Sequence, residues 1–277
     1  MGAAVPGTAP ELLAQVRADA MLYDLARPYR IGMPQSPNHP AYWHALPRRH
    51  GDMVRDDGGS AANDIIVMGT HVGTHIDALS HVSHEGRLYG GISAAAAQVG
   101  GRFDHGGAQL IEPYVGRGVL LDIPAVLGVR RCDPGMEILP EHLEAAVTLQ
   151  GTPIHPGDVV IVRSGWGQLW DDPAAYIGAD SGVPGVSEAG ATWLADRGPR
   201  MVGADTIAFE RLAPGKGHAL LPAHRVLLVE RGINIIETMA LEELVGRSAR
   251  EFLLILAPLR FEGATGAPVR PLAVVTG

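Results

Sequence analysis

Residues 71–81 read HVGTHIDALSH, and this stretch carries the strongest signal for both the fold and the chemistry of the chain. Four of the 12 histidines lie between positions 71 and 84. A catalytic divalent metal ion needs about three convergent imidazole or carboxylate side chains and an open position for water. His71, His75 and Asp77 are the candidate ligands, so the stretch predicts a metal site. The competing interpretation is a histidine cluster that is solvated, or packed in the core, without a metal.

The backbone through this stretch is expected to be extended with one bend. Residues 72–74 are poor helix formers. In a strand, alternate positions share one face, so His71, His75 and Asp77 would point the same way. A straight strand would separate the Cα atoms of the two histidines by about 13 Å, which is too far for ligands of one metal. We therefore expect a bulge or bend at Gly73.

Length and charge limit the class of protein. With 277 residues, 46% of them hydrophobic, the chain can bury a substantial core. We expect a helical arm and proline-rich loop over residues 1–50 and one domain, which carries the predicted metal site, over residues 51–277. The net charge of −8 argues against a nucleic acid or an anionic membrane as partner, because either would require a basic surface. A small molecule is the expected partner.

The chain has one cysteine and no sign of membrane insertion. Cys132 cannot form an intrachain disulfide, which favours a reducing compartment, and it is more often an inert packing residue than a nucleophile. The N-terminus has no basic residues followed by an apolar run, and the longest apolar run, residues 252–259, is too short to span a bilayer. We expect a cytoplasmic protein.

Apolar periodicity and turn residues predict alternating strands and helices, which indicates an α/β protein. Ser187 is the expected N-cap of a helix that continues through Trp193 to Arg197. The expected strands are 63–69, 118–126, 158–164, 200–204 and 233–236, and the other expected helices are 11–22, 89–101, 140–149, 221–232 and 239–244.

Three further residues are candidates for substrate binding. Tyr42 and Trp43 lie in a segment with prolines at positions 28, 34, 37, 40 and 47, which predicts an ordered surface loop. These aromatic residues could form the wall of an apolar substrate pocket, or they could pack against the body or a second subunit. His218, like His105, lies near glycine-rich loops, where it could line the site or be exposed.

A second pair of candidate ligands lies far along the chain. Glu237 follows the apolar strand 233–236, and a carboxylate in that position needs a cation or a hydrogen-bond donor. A metal site would supply such a partner, and His224 at the start of the helix 221–232 would join it. The alternative is that His224 is a surface residue and that Glu237 caps the helix 239–244.

At this point the residues resemble a known family, the metal-dependent hydrolases of the putative cyclase family, which includes bacterial kynurenine formamidases and isatin hydrolases. The family signature, His-x-Gly-Thr-His-x-Asp-x-Pro-x-His, matches residues 71–81 with one departure, Leu79 in place of proline. The resemblance extends over roughly residues 22–260. The further matches are VRSGW at 162–166, the segment from Pro184 to Trp193, GADT at 203–206, His224 and Glu237.

The resemblance implies a swivelling β/β/α fold, which is an α/β architecture with a mixed, barrel-like sheet and flanking helices, usually assembled as homodimers or tetramers. It implies that His71, His75 and Asp77 bind a first divalent ion, Mn²⁺ or Zn²⁺. His81 would be the general acid or base. His224 and Glu237 would complete a second metal position, or hold water and substrate if one metal binds, which makes Glu237 a catalytic candidate as well.

The activity predicted from these residues is hydrolysis of an amide, lactam or ester bond by metal-activated water. The substrate would be small and aromatic, similar to isatin or N-formylkynurenine, and the class would be hydrolases of C–N bonds other than peptide bonds. His81 would carry the proton to the leaving atom. One alternative is a metal-dependent cyclase, lyase or lactone hydrolase of a catabolic or biosynthetic pathway. Another is a non-catalytic protein whose metal has a closed coordination shell.

Overall fold

The structure, a computed structural model, describes residues 20–275. Fifteen strands are assigned within this range. They are β1 (Met21–Asp24), β2 (Trp43–Arg48), β3 (Asn63–Val67), β4 (His75–Asp77), β5 (Gln98–Val99), β6 (Arg102–Phe103), β7 (Tyr114–Asp122), β8 (Glu137–Ile138), β9 (Val159–Arg163), β10 (Gly185–Val186), β11 (Met201–Ala204), β12 (Asn234–Glu237), β13 (Glu251–Leu256), β14 (Gly266–Pro268) and β15 (Leu272–Val275).

Nine of these strands form one curled sheet in the order β1-β15-β13-β7-β9-β11-β12-β4-β14. The four central strands, β7, β9, β11 and β12, are parallel to one another. The strands on both sides of this centre are antiparallel to their neighbours. The predicted fold class, an α/β protein with a mixed, barrel-like sheet, is therefore confirmed.

Helices connect the parallel strands, as crossovers between parallel neighbours require. The α-helices are Ala94–Ala97, Ile123–Leu127, Pro140–Gln150, Pro173–Ile177, Glu188–Ala195, Pro222–His224 and Glu242–Gly246. Short 3₁₀ turns lie at Tyr89–Gly91, Ala108–Leu110 and Trp166–Leu169, and a π-helix covers Arg225–Arg231. None of the helices within residues 20–275 has the length and apolarity that a bilayer crossing requires.

The sheet separates two layers of core. Successive residues of β7 point to opposite faces, so Val119 and Leu121 pack with the crossover helices while Leu120 packs inside the curl of the sheet. Cys132 is part of the helix-side core, and burial raises the pKa of its thiol to about 12. Its thiol is therefore protonated at neutral pH, which agrees with an inert packing role.

Several expected elements have different bounds or partners. The strand expected at 118–126 ends at Asp122, because the chain turns into a helix at Ile123. The strand expected at 63–69 exists as β3, but it pairs only with β2, and all five of its residues are exposed. Its apolar composition indicated a strand without specifying the sheet. The helix expected at 89–101 is reduced to the four residues Ala94–Ala97.

The helix expected at 11–22 lies mostly outside the described residues, and its last positions, Met21 and Leu22, belong to β1 instead. β1 pairs with β15 at one edge of the main sheet. The division of the chain at residue 50 stays a prediction.

Candidate metal centre

The bend predicted within residues 71–77 is present at Gly73, whose φ is +65°. A Cβ atom at this position would lie 2.8 Å from ring atoms of Tyr29. The Tyr29 hydroxyl donates a hydrogen bond of 2.9 Å to the carbonyl of Thr74, so the same ring holds the far side of the bend. The bend returns His71 toward β4, where its Nδ1 lies 2.7 Å from Oδ1 of Asp77.

The pairing of β4 with β12 joins the two halves of the site. In this antiparallel pair Glu237 lies opposite His75, and Ile236 lies opposite Ile76. The two isoleucines pack in the core inside the curl. His75, Asp77 and Glu237 are therefore on the opposite face, and Nε2 of His75 lies 3.5 Å from carboxylate oxygens of both acidic residues.

His224 reaches the same point from the end of the short helix Pro222–His224. Its Nε2 is 3.4 Å from Oδ2 of Asp77 and 3.3 Å from Oε1 of Glu237. Two imidazole nitrogens and two carboxylates thus converge from three separate elements. His224 is not a surface residue, and Glu237 does not cap the following helix, which begins only at Glu242.

Hydrogen bonds on the outer side of two histidines orient their rings. Nδ1 of His75 donates to the carbonyl of Gly73 at 2.8 Å, and Nδ1 of His224 donates to Oε1 of Glu210 at 2.6 Å. Glu210 also accepts hydrogen bonds from the backbone N–H groups of Ala223 and His224, so its carboxylate is fixed. This network assigns the tautomer that leaves Nε2 of each ring available as a ligand.

Two carboxylate oxygens at the centre are left without partners, and this fits a cation. Oδ2 of Asp77 and Oε1 of Glu237 are buried and have no hydrogen-bond partner within residues 20–275. A buried charged oxygen without a partner is costly, and a divalent ion is the partner that imidazole and carboxylate donors suit.

Two groups of side chains have donor atoms within 4.8 Å of one another, close enough to be ligands of one metal ion. One group is His75, Asp77 and Glu237, and the other is His71, Asp77 and His81. Asp77 belongs to both groups.

The ionisable groups of the centre act on one another. Burial raises the pKa of Asp77, but four imidazoles close to its carboxylate, those of His81, His224, His71 and His75, outweigh burial, so the pKa lies well below its usual value. Burial and the charge of Asp77 raise the pKa of Glu237. Burial lowers the pKa of His224, but Asp77, Glu210 and Glu237 outweigh it and raise that pKa. The charge of Asp77 thus disfavours ionisation of Glu237, and a bound cation would relieve that repulsion.

Three more imidazoles lie over this centre. The ring of His81 stacks on that of His71, with centroids 3.8 Å apart, and the ring of His39 stacks on His71 at 5.2 Å. Burial lowers the pKa of His81 to about 3 and, together with the charges of His71 and His75, lowers the pKa of His39 to about 4. Burial and His224 also lower the pKa of His218. These rings are therefore uncharged at neutral pH.

A cavity of about 220 Å³ opens onto the centre. Among the predicted site residues, it is lined by His71, His75, His81, His218, His224 and Glu237. Asp77 is fully buried beside these residues. Trp43 and Tyr42 are not among the lining residues: Trp43 is half exposed on β2, and Tyr42 packs near Tyr29 with ring centroids 5.8 Å apart.

The sequence interpretation missed three residues of the site. Glu210 orients His224, Thr265 Oγ1 lies 2.8 Å from Nε2 of His71, and His39 lines the cavity. A signal existed for Glu210, because it follows the apolar residues 207–209, as Glu237 follows its apolar strand. Nothing in the local sequence marks Thr265, and the surrounding prolines made His39 look like a surface residue.

Comparison with known proteins gives a consistent set of relatives. Residues 23–211 match the sequence profile of the family described as putative cyclase. The isatin hydrolase of Roseibium aggregatum is 26% identical over 222 residues, which cover 79% of this chain and 77% of that protein. The kynurenine formamidase of Bacillus mycoides is 24% identical over 216 residues, which cover 78% of this chain and 81% of that protein. A crystal structure described as a novel cyclase superimposes with a TM-score of 0.83 at 29% identity, covering 97% of this chain and 94% of that one.

Proposed function

Because the chain belongs to the putative cyclase family, we propose that it is a metal-dependent hydrolase of small amides, lactams or esters. One observation carries the proposal. Nε2 of His75 and Nε2 of His224 converge with Asp77 and Glu237, and a carboxylate oxygen of each acid is buried without a hydrogen-bond partner among the described residues. The similarity to an isatin hydrolase and a kynurenine formamidase supports hydrolysis of a C–N bond outside peptides.

We assign the metal ligands to His71, His75, Asp77, His224 and Glu237. Asp77 belongs to both ligand groups, so it would be a ligand whether one ion or two were bound. Imidazole and carboxylate donors suit both Mn²⁺ and Zn²⁺. When bound, such an ion supplies Lewis acidity and lowers the pKa of a coordinated water toward neutrality.

The chain's own residues carry the proton and position the substrate. His81 stacks on His71 and lines the cavity, so its imidazole can accept a proton from attacking water and pass it to the departing nitrogen or oxygen. If one ion binds without Glu237, this carboxylate can instead hold the attacking water. His218 lines the cavity and can contact the substrate. Tyr42 and Trp43 do not line it, so they would contact a substrate only if their loop changed position or a second subunit joined the site.

A homodimer or tetramer is the assembly we propose. β2 and β3 form a separate pair of strands on which Trp43, Ile65, Ile66 and Val67 are each about half exposed. Apolar groups clustered on an exposed hairpin are typical of a contact surface. Sedimentation velocity of the intact chain would test it, and a monomer at micromolar concentration would contradict it.

The activity is tested with isatin and N-formylkynurenine side by side, using protein reloaded with Mn²⁺ or Zn²⁺. The expected result is rapid turnover of at least one substrate, abolished by a chelator, with a product heavier by one water. Asp77→Asn protein, prepared in the same way, is the matched control. A product of unchanged mass would indicate a cyclase or lyase instead. Metal-loaded protein without activity on either compound or on a panel of lactams and esters would contradict the proposal.

A further inference from the structure

The chain contains 22 lysine and arginine residues, and Lys216 is its single lysine. This residue lines a cavity of about 380 Å³ that lies beside the metal-site cavity. The two cavities have Asn38, Ile207 and His218 in common, so they adjoin. We call the second cavity the lysine chamber; a substrate whose reacting carbonyl lies at the metal centre would reach it past these three shared side chains.

The lysine chamber has mostly apolar walls, to which Ile177, Ile207 and Leu212 contribute, and Lys216 is the cation among its lining residues. Apolar walls combined with one charged group are the usual composition of a site that binds an organic ion, because the walls bind the carbon skeleton and the charge fixes its orientation. The chamber thus suits a molecule with an apolar body and an anionic end.

Lys216 is held in place by its backbone while its side chain has no carboxylate partner. Its N–H donates to the carbonyl of Ala213, and its own carbonyl accepts from the N–H of Ala219, so two consecutive turns meet at this residue. Within residues 20–275, no carboxylate lies within ion-pair distance of its ammonium group.

The arginines that line two other cavities are different. Arg27 pairs with Glu242, Arg200 with Glu112 and Arg270 with Asp24. A cation already paired with a carboxylate has little charge to offer a ligand. Lys216 has no such carboxylate partner in the described part of the chain, so its ammonium group is free to pair with a bound molecule.

We propose that Lys216 binds a carboxylate of the substrate in the lysine chamber, so that the hydrolase selects small amides or esters that carry an anionic group remote from the bond it cleaves. This proposal rests on the hydrolase function given above and adds the substrate class. A lysine ammonium group carries three hydrogen-bond donors on a flexible side chain. It can therefore reach substrate carboxylates that lie at somewhat different distances from the metal centre.

The single lysine allows a direct binding test on the metal-loaded protein. Reductive methylation with ¹³C-formaldehyde labels only Lys216 and the terminal α-amino group, and it keeps both charges. We expect 3-phenylpropionate to shift the Lys216 methyl resonance saturably and 3-phenylpropionamide to leave it unmoved. The α-amino signal is the internal control. No shift with the carboxylate, or equal shifts with both compounds, would overturn the proposal.

A kinetic test uses two esters that differ only in charge, 4-nitrophenyl hydrogen glutarate and 4-nitrophenyl pentanoate. The readout is the ratio of their kcat/KM values. Lys216→Met should lower the glutarate-to-pentanoate ratio about tenfold, chiefly through the KM of the glutarate ester, because a hydrogen bond to a charged group is lost. Lys216→Arg keeps the charge and should retain most of the ratio. An unchanged ratio in Lys216→Met would overturn the selection of anionic substrates.

The two tests separate this proposal from the proposed function. If the protein hydrolyses no ester or amide, the hydrolase function fails, and the resonance titration still decides whether Lys216 binds carboxylates. If hydrolysis is rapid and neither the titration nor the ratio responds at Lys216, the hydrolase function stands and the substrate class proposed here fails.

Discussion

The two halves of the metal centre are built in different ways. One half, His71, His75 and Asp77, comes from seven consecutive positions of one bent segment. The other half, His224 and Glu237, comes from a helix end and from the strand beside β4. The first half depends on local backbone geometry at Gly73, and the second half depends on the order of strands in the sheet. A metal centre of this kind is therefore recognisable from a motif but is complete only in the folded protein.

His224 of the remote half is oriented by a side chain from a third segment, and His75 of the motif half is not. Glu210 holds His224 through Nδ1, whereas His75 is held by the carbonyl of Gly73 within its own segment. Orientation of the motif histidine is thus intrinsic to its loop, while orientation of the remote histidine needs a third segment. Variants that remove each kind of support would separate the two halves experimentally.

The largest effect is expected at Asp77, because both ligand groups use it. Asp77→Asn keeps the side-chain shape and removes the charge, so we expect metal content below roughly a tenth of the wild-type value and loss of turnover. Metal analysis after gel filtration measures the effect. Asp64→Asn, which changes an exposed carboxylate on β3, is the matched control. Full occupancy in Asp77→Asn would refute the ligand assignment.

The next effect is expected at His81, which lies over the motif half. His81→Ala should lower kcat by about 10²- to 10⁴-fold, as loss of a general acid or base does, while metal content stays at the wild-type level. Rate and metal content must be measured on the same preparation. His84→Ala, an exposed histidine three positions along, controls for loss of an imidazole nearby. Metal loss in parallel with the rate would make His81 a ligand instead.

Glu210 tests the support of the remote half. Glu210→Gln should weaken metal affinity about 10- to 100-fold, because the neutral amide no longer holds His224 in the tautomer that presents Nε2. Competition with a chelator of known affinity measures this. Glu188→Gln is the control, since Glu188 pairs with Arg225 on the surface. An affinity within about twofold of the wild-type value would mean that the centre does not need this carboxylate.

The last prediction concerns the bend itself, and its effect is on folding. Gly73→Ala places a Cβ against the Tyr29 ring at a φ of +65°. We expect the free energy of unfolding to fall by about 2–4 kcal/mol, because the cost of a left-handed backbone at alanine adds to the cost of overpacking. Gly86→Ala has a similar φ of +70° and no neighbour within 4 Å of the new Cβ, so it should cost about 1–2 kcal/mol. Urea denaturation of both variants gives the comparison, and equal costs would show that Tyr29 does not fix the bend.

Local patterns in the sequence predicted the parts of the structure that depend on local interactions. The strand Val159–Arg163 and the helix Glu188–Ala195, with Ser187 accepting from the N–H of Gly190, lie where the apolar run and the cap indicated. The bend at Gly73 followed from ligand geometry. In the helix expected at 221–232, the end at Gly232 was right, but the change to a π-helix at Arg225 has no local signal.

What could not be predicted depends on contacts between distant segments. β3 looked like a core strand because Ile65, Ile66 and Val67 are apolar, yet its partner is an exposed hairpin strand. Thr265 contacts His71 across 194 positions of sequence, a pairing that only the strand order produces. Which distant segments meet is determined by the packing of the whole sheet, and a single sequence holds no local record of it.

The register of β4 against β12 has a consequence for the stability of the protein. β4 has three residues, and only two residue pairs join it to β12. Few backbone contacts therefore hold β4 and its outer neighbour β14 to the rest of the sheet. One cation bound by both Asp77 of β4 and Glu237 of β12 would link the two strands. By linkage, an ion at a thousand times its Kd adds about 4 kcal/mol to folding. The steady-state amount of intact protein in a cell would then follow metal supply, so that starvation for the ion reduces the population of enzyme as well as its turnover.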